Sequence, residues 1–170
     1  MRILLDAMGG DNAPDANIKG AVKAINQVKA EVILIGNEEV INSRIKELFG
    51  KNNVKEISDR LSIKHTTETI EMEDIPTQAI KHKKDSSMVV GFKMLKEEIE
   101  NRKKLFSEFG GSYESYIKNS GKVIPNIVVI INLYEAFDEM YPDLSEDFNS
   151  LTREGLKYGV IFILSTNGFE

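Results

Sequence analysis

Apolar residues fall into two alternating patterns along the chain. Short continuous apolar runs are typical of strands buried in a parallel sheet, whereas apolar residues spaced three or four apart are typical of amphipathic helices. The predicted strands are residues 2–8, 32–35, 61–67, 127–131 and 160–165. The predicted helices cover residues 18–28, 38–49, 77–80, 86–106, 113–118 and 148–158.

The alternation of strands and helices predicts an α/β fold. We expect a three-layer Rossmann-like sandwich of about five mostly parallel strands with right-handed crossovers. The expected strand order is 3-2-1-4-5, with 2-1-3-4-5 as the alternative. Residues 127–131 form the most apolar run and are predicted to be the central strand, next to the strand that contains Asp6. Residues 1–170 are predicted to form a single domain.

Length and charge narrow the possible classes of protein. A chain of 170 residues allows one compact domain, and 41% hydrophobic residues are enough for a buried core. The 27 acidic and 22 basic side chains give a net charge of −5, so no general attraction for nucleic acid is expected. The charges of residues 1–93 balance, and the whole excess belongs to residues 94–170.

Several residue types are rare or absent. The lack of cysteine removes disulfides, thiolate nucleophiles and cysteine-based zinc sites. His65 and His82 are too few and too far apart in sequence for a histidine-rich metal site, so neither a metal nor a cofactor is expected. No apolar run approaches the ~20 residues of a membrane span, and no signal peptide is recognisable. The sequence therefore predicts a cytoplasmic protein without a membrane span.

The first candidate site is the loop after the first strand. Its candidate residues are Asp6, Gly9, Gly10, Asp11 and Asn12, followed by a proline suited to the first turn of a helix. A glycine pair between a parallel strand and a helix lets the backbone approach a ligand, and free N–H groups at a helix start can bind phosphate. The spacing matches neither the dinucleotide fingerprint nor the phosphate loop, so a plain tight turn remains an equal alternative.

The second candidate site is the start of the long helix. Lys84, Ser86 and Ser87 could face a bound phosphate, while Asp85 or Ser86 could cap the helix. The alternative is a capped helix start beside a solvated basic stretch, and chemistry alone favours that alternative.

These segments together resemble a known family. The stretches at residues 6–14, 32–39, 67–76 and 83–88 are similar, in the right order, to the N-terminal part of the PlsX-type phosphate acyltransferases. The resemblance covers about residues 1–93. It implies an α/β/α fold akin to phosphotransacetylases and an enzyme that joins inorganic phosphate to an acyl group from acyl carrier protein, giving acyl phosphate for phospholipid synthesis. It also implies that the eight candidate residues lie at the family's cleft.

A different family is suggested by the rest of the chain. Residues 94–106, 124–132, 151–155 and 158–159 resemble the FtsK/SpoIIIE ATPases, and most closely the degenerate modules of the EssC-type proteins of type VII secretion. Active members carry Asp-Glu after the strand that matches residues 128–131. Asn132 and Leu133 stand at this degenerate Walker B position, and the phosphate loop is absent, so ATP hydrolysis is not expected.

The two resemblances lead to one main hypothesis and two alternatives. The main hypothesis is a recombined or engineered chimera, residues 1–93 joined to 94–170, without complete catalysis and binding phosphate or another small anion. The alternatives are a residual phosphate acyltransferase and an interaction module that uses the acidic residues 135–147. Dimerisation through a leftover sheet edge or an exposed helix face is a further expectation.

Overall fold

The computed structural model describes residues 2–28, 30–50, 59–71, 73–131 and 134–166. Its strands are β1 (Arg2–Asp6), β2 (Glu31–Gly36), β3 (Leu61–His65), β4 (Ile127–Ile131) and β5 (Val160–Leu164). Its helices are α1 (Asp15–Gln27), α2 (Glu38–Phe49), α3 (Pro76–His82), α4 (Ser87–Ser107), α5 (Tyr113–Ser120), α6 (Tyr134–Met140) and α7 (Pro142–Gly155), followed by a 3-10 turn at Leu156–Tyr158. The predicted α/β class is confirmed, since all five predicted strands form and pair in parallel.

The chain divides into two compact units, Met1–Gly91 and Phe92–Glu170. The boundary lies within two residues of the junction predicted from the two resemblances. It falls inside α4, which is continuous over Ser87–Ser107. That the two units share one domain stays a prediction.

The first unit is built on a three-stranded parallel sheet of order β1-β2-β3. Leu4 of β1 is opposite Ile33, and Leu34 of β2 is opposite Ile63 of β3. β2 is buried along most of its length because it is the middle strand, in keeping with its continuous apolar run. The buried apolar core residues are Ala7, Ile18, Ala21, Val22, Ile25, Val32, Leu34, Ile41, Ile45 and Leu61.

The helices of the first unit follow the predicted pattern. α1 buries Ile18, Val22 and Ile25 as expected, although Val28, beyond its last turn, is exposed. α2 begins at a well-formed cap, in which the Asn37 side chain accepts hydrogen bonds from the N–H groups of Glu39 and Val40. Each of these helices follows the carboxyl end of a strand, α1 after β1 and α2 after β2. This arrangement places helix N-termini along one edge of a parallel sheet.

The second unit contains the parallel pair β4-β5, in which Val128 is opposite Ile161. Its core is formed by Leu95, Ile99 and Val160. Arg102 is only 3% exposed and donates to the backbone oxygens of Tyr158 (3.0 Å) and Pro125 (2.7 Å). A charged side chain of α4 thus satisfies two carbonyl groups in the segments that precede β5 and β4.

The strand order of the first sheet agrees with the first predicted order and not with the alternative. β2, and not β1, is the middle strand of the first sheet, so this sheet agrees with the 3-2-1 part of the first predicted order and contradicts the 2-1-3 part of the alternative. The pairing of β1 with β4 that a single five-stranded sheet requires is not among the described pairings and stays a prediction.

The prediction that residues 127–131 form the central strand stays a prediction. Among the described pairings β4 pairs with β5 alone, and its residues alternate, with Val128 47% and Ile130 68% exposed. A continuous apolar run shows that a strand is possible, but it does not distinguish a central position from an outer one. The acidic residues 135–147 form α6 and the start of α7 and bury Phe137 and Leu144.

Candidate functional site

The loop after β1 is organised by the Asp6 carboxylate. Asp6 Oδ1 accepts hydrogen bonds from the N–H groups of Met8 (2.9 Å) and Gly9 (3.1 Å). A carboxylate that bonds to the backbone two and three residues later forms an Asx-type turn. Asp6 is therefore a structural acceptor that shapes the glycine loop, and its Oδ1 atom is already engaged.

Asn17 fixes the same loop from the opposite side. Its side-chain Nδ2 donates to the backbone oxygens of Gly9 (2.9 Å), Asp6 (3.2 Å) and Ala7 (3.2 Å). Sequence reasoning missed this residue. The available signal was an asparagine in the first turn of a helix, where such side chains commonly bond to nearby backbone groups.

Both glycines of the pair are exposed, but a Cβ at Gly9 would lie 3.0 Å from Asp6 Oδ2, whereas Gly10 is open. Gly10 has φ +96°, a conformation that favours glycine, and no atom lies within 4 Å of the position where its Cβ would be. Its carbonyl accepts from the N–H of Ala13 at 3.0 Å, ahead of a cis Ala13–Pro14 peptide bond. Asp11 and Asn12 are exposed beside it. The loop is thus both a tight turn and an accessible backbone surface.

Charge around this loop does not favour an anion. Asp6, Asp11 and Asp15 all lie within ten residues of chain there. The Arg44 guanidinium is paired with the Asp15 carboxylate, at 2.7 Å and 2.5 Å, and also with Glu47. The hydrogen bond from Arg44 holds the pKa of Asp15 below its usual value. The positive charge of Arg44 is therefore already paired with two carboxylates.

The start of α4 is organised by Asp85, although not as a helix cap. Asp85 Oδ2 accepts from both the N–H and the hydroxyl of Thr67, each at 2.7 Å. The Asp85 N–H donates to the Glu68 carboxylate at 2.8 Å, and Glu68 pairs with Ser86 in an isolated parallel bridge. The predicted capping role of Asp85 is wrong, because its carboxylate is turned toward the segment after β3.

Ionisation of Asp85 is favoured by these contacts. The hydroxyl and the N–H of Thr67 lower the pKa of Asp85, and the nearby charges of His65 and Lys64 lower it further by smaller amounts. The ionised carboxylate is the form that accepts two hydrogen bonds with one oxygen, so the contact and the charge state support each other.

Lys83 anchors the segment that follows Glu68. Its ammonium donates to the backbone oxygen of Thr69 at 2.7 Å and pairs with the Asp74 carboxylate, which also accepts from the N–H of Glu71 at 2.7 Å. The hydrogen bond from Lys83 lowers the pKa of Asp74. Of the two adjacent lysines, Lys83 is thus used in structure, while Lys84 is exposed.

The structure places both candidate groups along the carboxyl edge of the β1-β2-β3 sheet. The loop after β1 reaches β2 through the Ala7 N–H, which donates to the Ile35 oxygen at 2.9 Å. The end of β3 reaches β2 through the Thr66 N–H, which donates to the Gly36 oxygen at 3.0 Å. The next residue, Thr67, holds the start of α4. The ends of β1 and β3 are two strand spacings apart, roughly 10 Å.

Two serines of the candidate list are buried, and a third hydroxyl joins them. Ser86 is 0% and Thr66 is 1% exposed, and Ser87 is also buried. Neither Ser86 Oγ nor Thr66 Oγ1 has a hydrogen-bond partner in the part of the chain that the structure describes. Thr66 was missed by sequence reasoning, because a threonine after a strand carries no signal of its own.

The remaining sequence candidates, Asn132 and Leu133, lie outside the described residues. Within the described ranges no group of three or more histidine, aspartate or glutamate side chains is placed to hold a metal ion. None of the described helices is long and apolar enough to cross a membrane.

Comparison with known proteins gives the same N-terminal region. A family model described as "Fatty acid synthesis protein" matches residues 1–101. The chain is 50% identical over 98 residues to a phosphate acyltransferase of Acetivibrio thermocellus, 47% identical over 97 residues to one of Desulfitobacterium hafniense, and 44% identical over 98 residues to one of Clostridioides difficile. Each alignment covers 57% of this chain and 27% of the relative.

The matched region contains all eight candidate residues of the two groups and extends to residue 101, eight residues beyond the boundary expected from the motifs. The alignments span about a quarter of the length of the curated relatives. The family match covers more than half of this chain, so the chain belongs to the fatty acid synthesis protein family.

Proposed function

We propose that the carboxyl edge of the β1-β2-β3 sheet binds phosphate or the phosphoryl end of a small acyl phosphate, and that this chain does not complete acyl transfer by itself. The observation that carries the proposal is the similarity over 98 residues to proteins named phosphate acyltransferases. The family match over residues 1–101 includes both candidate groups. Their names point to phosphate as a substrate. The alignment covers 27% of the relative, which is why binding is proposed and not the whole reaction.

The geometry supports an anion at this edge more strongly near α4 than near Gly10. The loop after β1 is flanked by the carboxylates of Asp6, Asp11 and Asp15, whereas at the start of α4 the carboxylates of Glu68 and Asp85 are offset by the exposed Lys84 and the nearby Lys64. Free N–H groups in the first turn of a helix also favour negative charge. Both effects act in the same direction at the start of α4.

The test is phosphate affinity of the whole chain, measured by calorimetry. Lys84→Gln removes an exposed cation, and we expect it to weaken phosphate binding about two- to fivefold, as for one exposed charge pair. Lys104→Gln is the matched control, because Lys104 is an exposed lysine near the other end of α4. Equal affinity in the Lys84→Gln variant and the unsubstituted protein, or no saturable binding at all, would contradict the proposal.

A residual phosphate acyltransferase is the alternative. In that reaction a phosphate oxygen attacks the thioester carbon of acyl carrier protein, the C–S bond breaks, and the thiol leaves with a proton. Incubation of the chain with the thioester and phosphate separates the two ideas. Acyl phosphate that forms with the unsubstituted protein and not with Gly10→Trp would favour the enzyme over the binding protein.

We further propose that the chain joins two lineages, as the resemblance of residues 94–170 to degenerate FtsK/SpoIIIE modules suggests. It is supported by the end of the family match at residue 101 and by the compact unit Phe92–Glu170 with its own parallel pair. Sequencing of the source DNA across the codons for α4 tests it. A reading frame that continues from residue 101 into the remainder of a phosphate acyltransferase would show that the join is not native.

Two predictions concern partners of this chain, a second copy of itself and a protein that binds residues 135–147. Dimerisation through a sheet edge or helix face is checked by light scattering of the purified chain. An interaction role for residues 135–147 requires a salt-sensitive complex that is lost when Asp138, Glu139 and Asp143 are neutralised.

A further inference from the structure

Two buried hydroxyl groups lie near the start of α4. Thr66 Oγ1 and Ser86 Oγ are closed to solvent and have no hydrogen-bond partner among the described residues. Buried polar groups are nearly always paired, because an unpaired group loses its water without compensation. Two such groups in one small region call for a partner that the described residues do not provide.

The two hydroxyls belong to two chain segments that are held together. Glu68 and Ser86 are opposite each other in an isolated parallel bridge. Thr67, next to Thr66, donates its N–H and its hydroxyl to the carboxylate of Asp85, which is next to Ser86. The two buried hydroxyls therefore belong to one small region at the start of α4.

Ser86 also stands immediately before a long helix. The first intrahelical bond runs from the Val90 N–H to the Ser86 oxygen, at 2.9 Å. The N–H groups of residues 87–89 consequently have no acceptor within the helix. α4 has 21 residues, so its N-terminus carries the full partial positive charge of a helix dipole.

We propose that the hydroxyls of Thr66 and Ser86, with the N–H groups at the start of α4, bind the oxygen atoms of a phosphoryl group. This inference rests on the proposed function and assigns its anion to one end of the carboxyl edge. The hydroxyls donate to anionic oxygens, which makes stronger hydrogen bonds than they form with neutral groups. The group is either inorganic phosphate or the phosphoryl end of an acyl phosphate, which share this chemistry.

Charges around the site are nearly balanced. The Glu68 carboxylate accepts from the Asp85 N–H, and the Asp85 carboxylate accepts from Thr67, so each is partly neutralised by donors. Lys84 comes directly before Asp85 in the sequence. Lys64 and His65 are near enough to Asp85 to act on its charge. Because both hydroxyls are closed to solvent, a ligand reaches them only through a local opening, and association is expected to be slower than diffusion.

The test compares two threonine variants of the whole chain. Thr66→Val keeps the side-chain shape and removes the unpaired hydroxyl, whereas Thr77→Val removes an exposed hydroxyl in the first turn of α3. We expect Thr66→Val to weaken inorganic phosphate binding about tenfold and to leave the melting temperature without phosphate unchanged or higher. Thr77→Val should bind phosphate as the unsubstituted protein does. Ser86→Ala gives a second, independent reading of the same site.

Two ligand arms identify the source of the phosphoryl group. Calorimetry is run with inorganic phosphate and with acetyl phosphate, and weakening of either ligand by both variants supports the site. Phosphate binding that is saturable and unchanged in Thr66→Val and Ser86→Ala overturns this inference and leaves the proposed function standing. The absence of saturable binding of either ligand to the unsubstituted protein overturns both.

Discussion

Gly10 and Gly20 show how local conformation decides what a single residue contributes. Gly10 has φ +96° in the loop after β1, while Gly20 lies in the middle of α1 on its exposed side. No atom lies within 4 Å of the position of an added Cβ at either glycine. Their substitutions therefore differ only in backbone preference.

We expect opposite effects from the two alanine substitutions. Gly10→Ala should lower the free energy of unfolding by about 1 kcal/mol or more, because alanine is strained at positive φ. Gly20→Ala should raise it by about 0.5–1 kcal/mol, because alanine is the better helix former. Urea denaturation measures both. Equal effects of the same sign would mean that the loop does not hold Gly10 at positive φ.

Asp85 makes stability depend on pH in a defined direction. Its pKa is lowered in the folded state by Thr67, so the stabilisation is fully present above the ordinary aspartate pKa of about 3.9 and is lost as the pH falls through the lowered value. Asp85→Asn should be less stable than the unsubstituted protein at pH 7, and the difference should shrink toward pH 3. Denaturation at both pH values is the measurement.

Asp59→Asn is the control for this pH effect, because Asp59 is an exposed aspartate of the same unit. It removes one negative charge without removing the hydrogen bonds to Thr67. A difference for Asp85→Asn that is the same at pH 7 and pH 3 would show that the carboxylate charge does not support the contact.

Residue roles could be predicted only where a motif carried them. The glycine loop and the Lys84–Ser87 segment were recognisable from residue types in a known order. Asn17 and the partners of Asp85 were not, because each acts through a contact made between separate segments. Thr66 was not, because its burial is set by packing and not by its neighbours in the sequence. The capping role expected for Asp85 failed for the same reason: sequence shows its neighbours in the chain, but not Thr67.

The elements were predictable where the apolar spacing was regular, and less so elsewhere. α1, α2 and α4 appear where the three- and four-residue spacing placed them, and all five strands form. α6 was missed because its acidic residues hid the buried Phe137. The order of the strands depends on pairing, which the period of a sequence does not contain, so the order 2-1-3-4-5 stayed open beside the expected 3-2-1-4-5 until the pairing of β2 with both β1 and β3 was seen.

Within the second unit, Arg102 is the side chain on which we expect α4 to depend most. It is buried and donates to Tyr158 and Pro125, and its Nε donates to Glu98 at 3.0 Å. Arg102→Met keeps much of the apolar stem but leaves two carbonyl groups without a donor. We expect a loss of about 2–4 kcal/mol in the free energy of unfolding, measured by urea denaturation.

Lys104→Met is the matched control for this change. Lys104 is exposed two residues further along α4, and surface substitutions of this kind usually change stability by less than about 0.5 kcal/mol. Similar losses for Arg102→Met and Lys104→Met would contradict a structural role of the buried guanidinium.

At the scale of the whole molecule, the chain combines a family-matched N-terminal region with a second unit of different sequence character. The family match covers residues 1–101, and the excess of acidic charge lies in residues 94–170. The eight candidate residues of the two loop groups all belong to the first unit, so binding at its carboxyl edge is the functional claim that the described geometry supports.

The most direct measurement is a phosphate titration of the uniformly ¹⁵N-labelled chain, followed by backbone amide shifts. We predict saturable shifts centred on residues 86–90 at the start of α4, with smaller shifts at the ends of β2 and β3. Ser86→Ala should reduce these shifts at the same phosphate concentration. Unmoved amides at residues 86–90 together with unmoved amides at residues 9–12 would contradict phosphate binding at this edge.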